Sequence, residues 1–196
     1  MQSQVYDVTA AFEQHFITVD DNGAKRSRMF TTWENVEAEI HAFSVETYTI
    51  WSVRDSKIVK GTYEWRRYQC RFAGFTIRPR APVRASSTCS TNCGAQFTVA
   101  RRRRGIRGGE PVFIVRVKYN MQHNHPLSGL DYALDPTQRR LSEDEEREIS
   151  YLIGNYVAPH VVTSYVVKHF GKVITSQDIA NMRFRLRRKL ENRALM

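Results

Sequence analysis

No run in this chain approaches the ~18 apolar residues that a membrane-spanning helix requires. Residues 1–16 lack the basic-then-apolar layout of a secretory leader, so export is not expected. Cysteine is scarce, with three in 196 residues. An odd count without a leader argues against a disulfide framework and leaves a metal site or free thiols. There is no nucleophile–base grouping, no glycine loop fit to cradle phosphate and no acidic trio of a transposase centre, so the reading is of a protein that is not an enzyme. Acid is the other shortage. Residues 54–118 hold sixteen Lys and Arg against three Asp and Glu, a local charge of +13, while all other positions together carry −3.

What is present fits a folded, basic protein. Lys and Arg number 30 against 20 Asp and Glu, for a net charge of +10. Hydrophobic residues make up 41% and aromatics 11%, enough for a packed core, which excludes wholesale disorder. At about 100–200 residues per domain, one or two small domains are expected. Clustered base is the electrostatic footprint of a nucleic-acid partner; a solvated basic face is the plainer reading. A second cluster, Arg183, Arg185, Arg187, Arg188 and Lys189, lies near the C-terminus, with acidic residues gathered at 143–148 between the two.

Periodicity divides the chain. Residues 1–28 are polar and mixed, with an Asp20-Asp21-Asn22-Gly23 turn, and read as a flexible arm. Thr31-Thr32-Trp33-Glu34 has capping-box spacing, with Phe30 placed as a staple. Trp33, Val36, Ile40 and Phe43 then recur at helical spacing, predicting a helix over 32–44. Four β-rich runs follow at 47–53, 62–72, 95–100 and 112–119. In the last, Phe113, Val115, Val117 and Tyr119 share one face, and Arg116 and Lys118 the other. This predicts an antiparallel sheet with one wet, basic face. Residues 131–140 read as a linker. Beyond it, Ser142 to Glu145 forms a second capping box, Pro159 opens a helix that Gly171 closes, and Thr175 or Ser176 caps a third. The expected fold is therefore α+β: an N-terminal helix and a four- or five-stranded antiparallel sheet over 29–130, then a small three-helix, helix-turn-helix-like region over 141–192.

The sparse cysteines acquire meaning beside His123-Asn124-His125, which follows a strand. On extended chain, residues i and i+2 point to one side, so both imidazoles can face one ion. Tetrahedral zinc needs two more donors. Cys70 at the end of one strand and Cys93 at the start of another supply them, with Cys89 a competing donor from a Ser/Thr-rich loop. Four protein ligands leave no open position, so one structural zinc is expected, worth on the order of ~10 kcal/mol of folding free energy.

Trp51-Ser-Val-Arg-Asp-Ser-Lys57-Ile-Val-Lys60-Gly61, then Tyr68-Gln-Cys70, then His123-Asn-His125, resembles a WRKY-type zinc finger. The core letters of the plant motif are replaced, and the first Cys-to-Cys interval is far longer. The chain is more similar to another branch of the WRKY and glial-cells-missing superfamily, the FAR-RED-IMPAIRED-RESPONSE type found in Mutator-like transposases and in transcription factors derived from them. The residues that carry this are Phe30 to Glu34, Tyr68-Gln-Cys70-Arg-Phe-Ala-Gly74, Cys93-Gly94-Ala95 and His123 to Leu127, with Thr175-Ser-Gln-Asp178-Ile179 further on. The resemblance covers about 30–130. It implies Cys70, Cys93, His123 and His125 as the ligands, a zinc-stapled sheet, and double-stranded DNA binding with the strand from Trp51 to Lys60 in the major groove.

On that reading Arg54, Ser56, Lys57 and Lys60 face the groove, and Arg66, Arg67, Arg116 and Lys118 hold phosphates. Arg101, Arg102, Arg103 and Arg104 sit at a hairpin tip, able to enter an adjacent minor groove or to serve as a nuclear-import signal. Trp51 is expected in the core. The implied role is that of a nuclear transcription factor or transposase-derived targeting domain. The alternatives are a zinc-stabilised RNA-binding module and a protein-interaction module whose C-terminal helices form a homodimer or bind a protein partner. No small-molecule substrate is expected.

Overall fold

The computed structural model describes residues 4–59, 61–74, 90–103, 111–116 and 118–194. The fold is α+β and divides into two compact units, Met1–Ser128 and Gly129–Met196. In chain order the first unit contains β1 (Tyr6–Asp7), α1 (Thr9–Phe16), β2 (Ile17–Val19), β3 (Lys25–Ser27), β4 (Met29–Phe30), α2 (Trp33–Thr47), β5 (Trp51–Val59), β6 (Thr62–Cys70), β7 (Gln96–Arg103), β8 (Pro111–Val115) and β9 (Gln122–His123). Five of these strands make one antiparallel sheet in the order β4-β8-β7-β6-β5. β5 is therefore an edge strand.

Residues 4–28, within the stretch expected as a flexible arm, are folded. Val8, Phe12 and Phe16 recur four residues apart and form the apolar stripe of α1, and Phe12 and Phe16 are fully buried. The short length of that stripe, set among polar neighbours, hides it in the sequence. The Asp20 turn is real. Its carboxylate accepts the backbone N–H groups of Asn22 and Ala24 at 3.1 and 2.9 Å, and Gly23 takes φ +76° to join β2 to β3.

The helix expected over 32–44 is α2, one turn longer at its C-terminus. Thr32, not Thr31, is its cap, accepting the Asn35 N–H at 3.2 Å. Phe30 is drawn into the sheet opposite Phe113. The helix runs through Thr47 and ends on Tyr48 in the left-handed region, so the β-branched run at 47–50 is not strand, and β5 starts at Trp51. Val36, Ile40 and Phe43 of α2 meet α1 and the inner sheet face, where Tyr68 stacks on Phe97 at 5.0 Å. Aromatic contacts dominate this core: Phe12 touches Phe16, Phe43, Phe97 and Tyr119 at centroid distances of 4.7–5.5 Å.

The second unit holds α3 (Gly129–Leu134), α4 (Glu143–Gly154), α5 (Pro159–Phe170) and α6 (Ser176–Ala194). The stretch expected as a linker belongs to it. α3 occupies its first half, Arg139 bonds Thr175 and Asp178, and Leu141 is buried. Ser142 and Glu145 form the reciprocal capping box of α4. Pro159 is the first residue of α5, and Gly171 closes it at φ +65°. Thr175 and Asp178 exchange the same pair of bonds at the start of α6, at 2.9 and 3.2 Å. Ile149, Ile153, Val162, Val166, Ile174, Ile179 and Met182 make the unit's own core.

Candidate metal centre and basic sheet face

Four segments converge at one end of the sheet. Cys70 is the last residue of β6, and its N–H bonds the Ala95 carbonyl at 2.9 Å. Cys93 precedes β7, held by its N–H to Phe72 O at 3.2 Å. His123 lies in β9, whose partner is β1, with Tyr6 opposite His123. His125 follows two residues later. Between the histidines, Asn124 donates to the Thr91 carbonyl at 2.8 Å and accepts from the Thr91 hydroxyl at 2.9 Å. These two bonds tie the histidine segment to the loop that carries Cys93.

The four side chains are 1%, 4%, 1% and 6% exposed for Cys70, Cys93, His123 and His125. Their ligand atoms all lie within 4.8 Å of one another. Cys70 Sγ is 3.1 Å from His125 Nε2, Cys93 Sγ is 3.4 Å from His123 Nδ1, and the two ring nitrogens are 3.3 Å apart. His125 Nδ1 donates to the Pro126 carbonyl at 3.0 Å, which leaves the Nε2 lone pair aimed at the cluster. Trp51 lies 5.6 Å from the His123 ring and Phe72 4.4 Å from the His125 ring, so the donors sit in an apolar shell. The Cys70 thiol hydrogen-bonds Cys93 and holds its thiol well below the usual range, while that same pairing and burial push Cys70 up. The cluster can hold one metal ion. Cys89 lies outside the described residues.

The residues expected to touch DNA divide into groups. Residues directly opposite in an antiparallel sheet share a face. Asp55, Arg67 and Thr98 are opposite one another in successive strands, and the Arg116 N–H bonds the Thr98 carbonyl at 2.8 Å. Arg67 alternates with the buried Tyr68 and so takes the outer face, and Arg67, Arg116 and Lys118 line one hollow together with Gln96, Phe97 and Thr98. Arg67 pairs with Asp55 at 3.5 Å. On the edge strand, Arg54 bonds Gln69 at 3.1 Å, Lys57 pairs with Glu64 at 2.8 Å and Ser56 is exposed.

Arg66 does not join them. It pairs with Glu37 of α2, and its guanidinium lies 3.5 Å from the Tyr63 ring centroid and 5.0 Å from that of Trp33. Its alternation with Arg67 turns it to the helix side, where it fastens sheet to helix. Arg101, Arg102 and Arg103 are not a hairpin tip but the end of β7, opposite Phe113, Val112 and Pro111; Arg101 and Arg102 are exposed. Lys60 and Arg104 lie outside the described residues.

Sequence reasoning missed the supports of the centre: Tyr6, whose strand braces His123, and the Thr91–Asn124 clamp. The one signal that could have found the first region is the four-residue spacing of Val8, Phe12 and Phe16, too short a stripe to stand out among its polar neighbours. Nothing local marks the clamp, because its partners are 33 residues apart. Comparison of the chain with family models, with curated proteins and with solved structures gave no match.

Proposed function

We propose that the chain is a sequence-reading double-stranded DNA-binding protein built on a structural zinc, in the manner of the FAR-RED-IMPAIRED-RESPONSE branch of the WRKY and glial-cells-missing superfamily. The observation that carries the reading is a buried Cys₂His₂ cluster at the end of a sheet whose outer face bears Arg67, Arg116 and Lys118. Two thiolates and two imidazoles are a donor set that selects zinc over the hard oxygen-seeking cations. Bond lengths of about 2.3 Å to sulfur and 2.0–2.1 Å to nitrogen imply ligand separations of roughly 3.5 Å for S···N and 3.3 Å for N···N around a tetrahedron. The separations of 3.4 Å (S···N) and 3.3 Å (N···N) match these values, and the 3.1 Å between Cys70 Sγ and His125 Nε2 is shorter. Four protein donors complete the shell, which makes the ion a staple rather than a Lewis acid.

β5 pairs on one side only, and its residues from Val53 to Val59 are exposed. β6 pairs with β7 from Trp65 to Gln69, and past Trp65 the β5–β6 pairing runs on alone as a two-stranded ribbon of the width that a ~12 Å major groove admits, β5 being the strand that faces it. Lys57 reaches base edges from it, its present partner Glu64 being an exchangeable surface contact, and Arg54 does so by leaving its bond to the buried Gln69. Arg67, Arg116 and Lys118 hold the phosphates. The role would be exercised in the nucleus, as a transcription factor or a transposase-derived targeting domain. The RNA-binding reading is weaker, because Tyr63, one candidate stacking platform, is covered by Arg66.

Selection of bound duplexes from a random pool, with zinc measured on the same sample, tests the proposal. One zinc per chain, an enriched motif and affinity that falls steeply with salt are expected. One zinc with no enriched motif, or a preference for single strands, would overturn the DNA reading and leave a structural zinc module.

A further inference from the structure

The Gly129–Met196 unit takes no part in the site above, yet it has a second concentration of base. Residues 183–194 carry six Lys and Arg against one Glu. The unit as a whole is near balance, with eleven Lys and Arg against nine Asp and Glu, so this charge is concentrated on one helix end. α5 and α6 are joined through Gly171, in the left-handed region, and the short segment to Thr175, and both pack on α4 through Val162, Val166, Ile179 and Met182. That is the connectivity of a helix-turn-helix, with α6 in the place of the second helix.

α6 buries Ile179 and Met182 and turns the opposite face outward. Gln177, Ala180, Asn181, Phe184 and Arg188 are exposed at the i, i+3, i+4, i+7, i+11 spacing of one stripe. Phe184 is 62% exposed, which puts an aromatic ring on this outward stripe. The Gln177 amide bonds Asn181 at 3.0 Å, so two amides stand together near the helix start. Amide side chains there match adenine edges, and small or aromatic apolar groups meet thymine methyls. Arg187 and Arg188 flank the far end, resting at 5.6 and 5.8 Å over the Tyr156 and Phe184 rings, with no carboxylate paired to either among the described residues. Arg185 differs, since Glu146 neutralises it at 2.8 Å.

We infer that the outer face of α6 is a second duplex-DNA contact, separate from the zinc-bearing sheet, with Gln177, Asn181 and Phe184 at base edges and Arg187 and Arg188 on phosphates. Charge complementarity selects the occupant, and α6, about 28 Å long, suits a major groove.

The test compares full-length chains carrying Arg187→Ala with Arg188→Ala, Arg67→Ala with Arg116→Ala, and both pairs, on one long duplex over a salt series. Circular dichroism and melting confirm that each variant is folded. The inference expects the helix pair alone to flatten the slope of log affinity against log salt by about 1–2, at unchanged helicity. Gln177→Ala with Asn181→Ala should lower discrimination between duplex sequences and leave the salt slope unchanged. An unaltered slope and affinity in the helix pair, while the sheet pair is impaired, would overturn the inference and leave the sheet reading standing. The reverse pattern would retain the inference and sink the sheet reading. A helix pair impaired only toward RNA or a protein partner would also overturn it.

Discussion

Asn124 has no donor role in the cluster, yet it stands between two of its members and makes two bonds to Thr91. It therefore positions the histidine segment against the cysteine loop. Asn124→Ala should cost about 1 kcal/mol of stability, the net worth of exposed hydrogen bonds, and hasten metal transfer to a competing chelator. Urea denaturation together with the chelation rate checks this. Loss of a donor is a larger matter. Cys93→Ala leaves Cys70 and two imidazoles buried around an incomplete shell, and the free energy of metal binding is folding free energy in a site of this kind. The variant should lose bound metal and the cooperative melt of the first unit; native melting with full metal content would remove Cys93 from the ligand set. Gly74 is a further constraint on the loop. A Cβ there would lie 2.4 Å from Asn92 Oδ1 and 2.7 Å from Ser90 Oγ, so Gly74→Ala forces those two side chains to move.

At the scale of elements, α1 is the piece whose importance the sequence conceals. Phe12 is fully buried against four other aromatic rings. Phe12→Ala should destabilise the first unit by about 3–5 kcal/mol, read as a shift in the denaturant midpoint with an unchanged slope. The second unit offers the contrast, because its helix boundaries were legible: Ser142, Glu145, Pro159, Gly171 and Thr175 act locally, within one turn of the position they specify. Ser142→Ala should cost about 1 kcal/mol through loss of its cap, measured by thermal melting. β6, β7 and β8 were legible from their β-branched and alternating runs, and the four metal-cluster residues from their types and their places at strand ends, whereas the two- and three-residue strands β1 to β4 and β9 are too short to show a period. What could not be read is pairing at a distance: β1 with β9, Thr91 with Asn124, Arg66 with Glu37. Tyr48 shows the remaining failure. The β-branched run at 47–50 has strand propensity, but Thr47 bonds the Phe43 carbonyl at 2.7 Å and the helix outcompetes it.

At the scale of the whole molecule, the two units rest on different foundations. The second has an apolar core with no metal cluster among its described residues. The first encloses the Cys₂His₂ cluster, and Trp51 joins that cluster to the aromatic core through contacts with both His123 and Phe97. If the cluster holds zinc as proposed, removing the ion should propagate into the first unit and stop there. All three tryptophans, Trp33, Trp51 and Trp65, belong to that unit, so their fluorescence reports on it alone. Treatment with a strong chelator should shift tryptophan emission to the red and abolish one thermal transition. A second transition, seen in the helical far-ultraviolet signal, should persist at its original temperature, since α4, α5 and α6 keep their packing. Readdition of zinc should restore the first. If both transitions vanish together, the units fold as one cooperative body and the helices depend on the ion as much as the sheet does. If neither moves, the cluster contributes nothing to folding, and its burial must be explained by thiol and imidazole packing alone.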